Sequence, residues 1–145
     1  MLNDKRLKRI FLIAVILAVA LLPQKSLLAA DSCTASVQQI CHDEPTQDSC
    51  LEIRYACGKY EDILDSMRGM TFTKAETYFV GISLLAQSWR ESAPSLRCYY
   101  KVQGQSVLEN YLHFLKTDFD TTGSFGTSAD LRRVNHAVKM LERSR

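Results

Sequence analysis

Proline occurs three times in the 145 residues, at Pro23, Pro45 and Pro94, and alternating runs of β-branched and aromatic residues are nearly missing. Without strand signals the expected fold class is all-α, and each proline falls where an apolar pattern stops. Equally missing are a Ser/His/Asp set, a glycine-rich phosphate loop and a metalloprotease helix, so no motif names a catalytic residue. Histidine is scarce. Of His42, His113 and His136, only His42 has acids beside it, Asp43 and Glu44, and no second histidine completes a site. The expectation is a non-catalytic protein without cofactor or metal.

Nor is there an apolar run long enough to cross a bilayer. The longest, Ile10 to Leu22, has 13 residues, against the roughly 20 that a spanning helix needs. It follows Lys5, Arg6, Lys8 and Arg9, opposed only by Asp4, and is broken by Pro23 and Gln24 ahead of Leu28-Ala29-Ala30. A basic segment, a compact apolar core and a small-residue cleavage site together form a secretory signal. Residues 1–30 are therefore expected to be a cleavable Sec signal peptide ending at Ala30, and residues 31–145 a single α-helical domain. An uncleaved N-terminal anchor is the alternative. The expected destination is the periplasm or the exterior, with membrane contact only in transit.

Excess positive charge is missing too once the signal is removed. The precursor carries 18 Lys and Arg against 16 Asp and Glu, a formal +2, and cleavage takes five of the bases and one acid, leaving 13 against 15, a net of −2. A general nucleic-acid binder stays basic, so nucleic acid is not the expected partner. The remaining 115 or so residues can bury one modest core.

Cysteine, by contrast, is well represented, at positions 33, 41, 50, 57 and 98, and in an oxidising compartment such a cluster is a disulfide framework. Cys33 and Cys41 are eight apart, Cys50 and Cys57 seven, so each pair shares one helix face. The polar, proline-bearing stretch from His42 to Asp48 between them has the composition of a turn. In an antiparallel hairpin, facing positions have a nearly constant sum; Cys41 with Cys50 gives 91 and Cys33 with Cys57 gives 90. The expected staples are those two nested pairs, with Cys98 a free or alternative thiol. A four-cysteine zinc site is disfavoured because zinc pairs are usually spaced more closely, and lipidation of Cys33 because a lipobox is missing.

Capping boxes are expected at Ser49 with Glu52, Thr73 with Glu76 and Thr127 with Asp130. Behind the second, Tyr78, Phe79, Ile82, Leu85, Ala86 and Trp89 make one apolar face at helical periodicity. After Ser92-Ala93-Pro94-Ser95 a further set runs through Leu96, Tyr99, Tyr100, Val107, Leu108, Tyr111, Leu112 and Leu115. Gly104 and a Ser106/Glu109 recap would make this one bent helix or two short ones. The last helix would bury Leu131, Val134, Val138 and Leu141. The architecture expected is a small helical bundle or short α-hairpin array with a disulfide-stapled N-terminal hairpin.

The stretch Tyr55-Ala56-Cys57-Gly58-Lys59-Tyr60-Glu61-Asp62-Ile63-Leu64 resembles the inter-helix segment of a tetratricopeptide repeat, in which a glycine lets two helices turn and an aromatic two residues later packs between them. Lys74-Ala75-Glu76-Thr77-Tyr78-Phe79-Val80-Gly81-Ile82 is similar to the opening helix of a following repeat, with Gly81 at the small position where helices approach closely. The resemblance covers about residues 51–90. It implies a helical-hairpin scaffold that presents a groove to a peptide or protein partner, and it transfers no binding residue.

Two further segments bear on sites. Asp118-Phe119-Asp120-Thr121-Thr122-Gly123 has the alternating oxygens of a calcium loop, but position twelve is Ala129 where a bidentate acid is needed, so a surface turn is expected. On the last helix Arg132, His136, Lys139 and Arg143 share a face, flanked by Arg133 and Arg145. Arg132, Arg133, Lys139 and Arg143 are the candidate surface for an acidic partner or lipid headgroups. The function expected is an exported protein–protein interaction module, an adaptor or helper of an envelope or secretion assembly. The alternative is a periplasmic inhibitor or immunity protein against a toxin or envelope hydrolase.

Overall fold

The computed structural model describes residues 25–42, 44–124 and 126–145, with side chains from residue 32 onward. The basic and apolar parts of the expected signal, residues 1–24, lie outside the described residues, as does Asp43 beside His42. Six α-helices and no strand occur among the described residues: α1 (Lys25–Ile40), α2 (Asp48–Ala56), α3 (Tyr60–Ser66), α4 (Lys74–Arg90), α5 (Pro94–Thr122) and α6 (Ser128–Ser144). The fold class is all-α, and among the described residues no helix is long and apolar enough to cross a membrane.

The chain divides into two compact units, residues 1–35 and 36–145. In the first, the described part is the beginning of α1, and its Cys33 is disulfide-bonded. In the second, Cys41 directly follows α1 and Cys50 sits in the first turn of α2. A disulfide joins them with their Cα atoms 4.9 Å apart, closing the Pro45 turn at its base. Cys57, at the end of α2, is also disulfide-bonded, and Cys98 is an exposed free thiol. The N-terminal hairpin is therefore disulfide-stapled, and its bridges indicate an oxidising, extracytoplasmic environment.

The second unit is built around α4, which packs against α2, α3, α5 and α6. Tyr78, Phe79, Ile82, Leu85 and Ala86 are buried as the periodicity requires. Fully burying an apolar side chain of this size contributes roughly 1.5–3 kcal/mol, and the stripe meets Leu51, Ile63, Leu108, Tyr111 and Leu141 of the surrounding helices in one core. The Thr73/Glu76 capping box that starts α4 and the Thr127/Asp130 box that starts α6 are both formed.

Gly104 does not divide α5, which is continuous, with Ser106 and Glu109 inside it. Its role is close approach. A Cβ on Gly104 would come within 2.9 Å of the Leu85 backbone nitrogen, and one on Gly81 within 2.6 Å of Leu108 Cδ2. The two glycines thus work reciprocally, each making room for the leucine of the facing helix, and this lets α4 and α5 lie close together.

Other expectations are corrected. The Ser49/Glu52 box is absent: α2 starts two residues earlier, with Gln47 as an N-cap that makes no side-chain capping bond, and Glu52 instead meets Arg133 on α6. Trp89, Leu96 and Tyr99 are exposed rather than core, since α4 and α5 carry apolar residues around a wider arc than their neighbours cover. Asp118 to Thr122 is not a turn but the end of α5, which stops at Gly123 with φ 71°, and Asp118 pairs with Lys74. On α6 the buried face is Ala137, Met140, Leu141 and Ser144, with Val134 partly buried, while Leu131 and Val138 are 48% and 39% exposed. Arg133 shares this inward side of the helix, and its side chain is only 11% exposed.

Candidate protein-binding groove

The four basic residues expected to form a partner surface do not act together. Arg133 is an internal tether: its side chain is only 11% exposed and pairs with Asp48 at 2.8 Å, Glu52 at 3.4 Å and Asp130 at 3.7 Å. Its guanidinium also lies 5.3 Å from the Phe79 ring centroid and 5.9 Å from that of Tyr78. Burial works against its charge, but the hydrogen bond and charge of Asp48, joined by Glu52, outweigh it and raise its pKa. Asp130 is held below the usual carboxylate range: burial opposes ionisation, and the hydrogen bonds from Thr127, with Arg133 and Lys74 nearby, overcome it. Arg133 thus ties α6 to α2 and α4.

Arg132 is exposed beside a cavity of about 250 Å³ lined also by Glu52, Tyr55, Tyr78 and His136. The Tyr78 hydroxyl lies 2.6 Å from His136 Nδ1. Burial, aided by the charge of Lys139, holds the imidazole below its ordinary pKa. Burial likewise pushes the Tyr78 phenol well above its own, and Tyr55 and Tyr111 to about 12. Both partners are therefore held neutral, and a neutral hydroxyl and a neutral imidazole share this hydrogen bond. The Tyr78–His136 pair is the neutral part of a cavity wall whose charged members are Glu52, Arg132 and Arg133. Lys139 stays exposed, and Arg143 lies over Trp89 at 4.7 Å, away from the others.

The larger opening lies between α3 and α5. Leu64 of α3, Leu84 of α4 and Tyr99 and Tyr100 of α5 line a groove of about 460 Å³, with Glu61 and Asp65 of α3 and Arg68 in the turn after it on the rim. Tyr99 is 57% exposed, and its ring lies 5.7 Å from that of Tyr100. Arg68 is taken up by Asp65 at 2.7 Å, so the rim is acidic on balance.

Local chemistry fixes α3 as one wall. Gly58 takes φ +69° between α2 and α3, a conformation that side chains disfavour. Arg90 at the end of α4 donates to the Gly58 carbonyl at 2.9 Å and covers the Tyr60 ring at 4.4 Å. Gln87 donates to Glu61 at 3.1 Å. The wall is thus anchored to α4 before any partner arrives.

The groove escapes sequence inspection because its apolar residues come from three helices; the one available signal is the excess of apolar residues on α5 beyond a single face. Among the described residues no group of three or more His, Cys, Asp and Glu could hold a metal ion. Comparison with protein-family models, curated proteins and solved structures finds no match to this chain.

Proposed function

We propose that the protein is an exported, non-catalytic interaction module, periplasmic or secreted, that serves as an adaptor or helper of an envelope or secretion assembly. It holds an amphipathic helix of a partner protein in the groove between α3 and α5. The observation that carries this is the anchored groove itself, apolar and aromatic within and acidic at the rim. Helix-in-groove recognition uses apolar anchors at i, i+3 and i+4, and exposed tyrosines supply contact area with little side-chain entropy to lose. With Asp65 paired to Arg68, Glu61 is the rim charge that selects a partner helix with Lys or Arg beside its apolar stripe.

The test is a photo-crosslinking residue placed at Tyr99 in cells making the full chain, with Lys116, exposed on α5, as the control site. A single adduct is expected from position 99 and none from 116, and Glu61→Lys should abolish it while the fold is retained. An adduct that forms equally from both positions, or that survives Glu61→Lys, would contradict the groove assignment. A toxin or hydrolase in the adduct would replace the helper role by an inhibitory one.

A further inference from the structure

We propose that a second surface of this protein, a basic cleft around Trp89, docks on the phosphate headgroups of an anionic lipid surface. The cleft, of about 410 Å³, is lined by Trp89 at the end of α4, Arg97 and Lys101 near the start of α5, and Arg143, Ser144 and Arg145 at the end of α6, with Ser88 below. No acid lines it, and none of its four cations forms an ion pair among the described residues. Glu91, the acid between α4 and α5, accepts the Ala93 amide at 3.0 Å, and Glu142 lies exposed on α6. This positive charge is concentrated locally, because the chain after signal removal carries more acids than bases.

The cleft is held in shape before any ligand arrives. Arg97 donates through Nε to the Glu91 carbonyl at 3.0 Å and through Nη2 to that of Ser92 at 3.4 Å, capping the end of α4. Gln105 donates to the Ser144 carbonyl at 3.2 Å and hydroxyl at 3.0 Å, fixing the end of α6 on α5. The hydroxyls of Ser88 and Ser144 donate to Leu85 and Leu141 carbonyls. Lys101, Arg143 and Arg145 are left to meet the ligand.

Two features select a lipid surface over a small free anion. One water occupies about 30 Å³, so a lone phosphate would leave most of the cleft to solvent. Trp89, 43% exposed with Arg143 across its ring at 4.7 Å, is the amphipathic ring that settles at headgroup level, and clustered cations add attraction to an anionic surface. Sequence alone offers Arg143 for lipid headgroups only as part of one face of α6; the cleft instead joins it to Trp89, Arg97, Lys101 and Arg145, independent of the α3/α5 groove.

Trp89 is the chain's only tryptophan, so its fluorescence reports this cleft alone. Oxidised protein should show a blue shift with phosphatidylcholine vesicles containing phosphatidylglycerol and none with phosphatidylcholine alone. Lys101→Gln and Arg145→Gln should each weaken binding about fivefold, and Arg143→Glu should abolish it, with circular dichroism showing each variant folded. If Arg143→Glu unfolds, the two glutamine variants decide. An equal shift with neutral vesicles, undiminished binding in folded variants, or a response to inorganic phosphate but not to vesicles would each overturn the proposal.

Discussion

Arg133 joins three elements through one side chain, since its guanidinium meets Asp48 and Glu52 of α2, Asp130 of α6 and the aromatic faces of α4. Replacing it with methionine keeps much of the packing and removes the charge-assisted bonds, which should lower unfolding free energy by about 2 kcal/mol. Arg132→Ala, one residue away on the exposed side, should change it by no more than about 0.5 kcal/mol; urea denaturation of the two variants checks the contrast. His136 gives a pH signature. Folding holds it below its unfolded value of about 6.5, so the unfolded chain takes up a proton that the native chain resists. Its contribution is fully present above about pH 6.5 and declines as pH falls toward the lowered native value. His136→Asn should flatten that part of the stability–pH curve, measured by urea midpoints at a series of pH values. An unchanged slope would mean that His136 is not buried in solution as it is here.

Helix packing turns on the reciprocal glycines. Gly104→Ala places a methyl group 2.9 Å from backbone, whereas the backbone atom nearest a Cβ on Gly81 is 3.3 Å away and the closer contacts there are the flexible end of Leu108. Overpacking costs about 1–3 kcal/mol, against about 1 kcal/mol of helix propensity gained. Gly104→Ala should therefore destabilise more than Gly81→Ala, as thermal unfolding will show. Much of this scale was legible in the sequence. The Thr73 and Thr127 boxes form because their partners lie three residues away, and the α4 stripe because one helix face carries it. The Ser49 box and the α6 face were not: Arg133 meets α2 across more than eighty residues, and no local pattern encodes a contact that distant. Gly104 looked like a breaker for the same reason: whether a glycine interrupts a helix or admits a neighbour depends on the neighbour. The four basic residues read as one surface on α6 are spread apart, because Arg133 meets Asp48 and Glu52 and Arg143 lies over Trp89.

Across the whole molecule, the cysteines link location to stability. The Cys41–Cys50 bridge closes a short loop, for which chain-entropy arguments give about 2–3 kcal/mol. The double variant Cys41→Ser/Cys50→Ser should lose that much in denaturant titration while remaining helical, because the α4 core lies outside the loop. Reducing conditions should mimic the variant, and little further loss on reducing the variant would show that Cys33 and Cys57 contribute weakly. Only the pairing arithmetic needed the sequence alone; the groove and the cleft needed helices brought together from distant segments. The central claim is that the chain is exported and oxidised into a stapled helical module. Its most direct test is non-reducing mass mapping of the protein recovered from its native compartment. The expected result is an N-terminus at Asp31, a Cys41–Cys50 peptide, a Cys33–Cys57 peptide and an alkylatable Cys98. Reduced Cys41 and Cys50 on a chain that still begins at Met1 would contradict it.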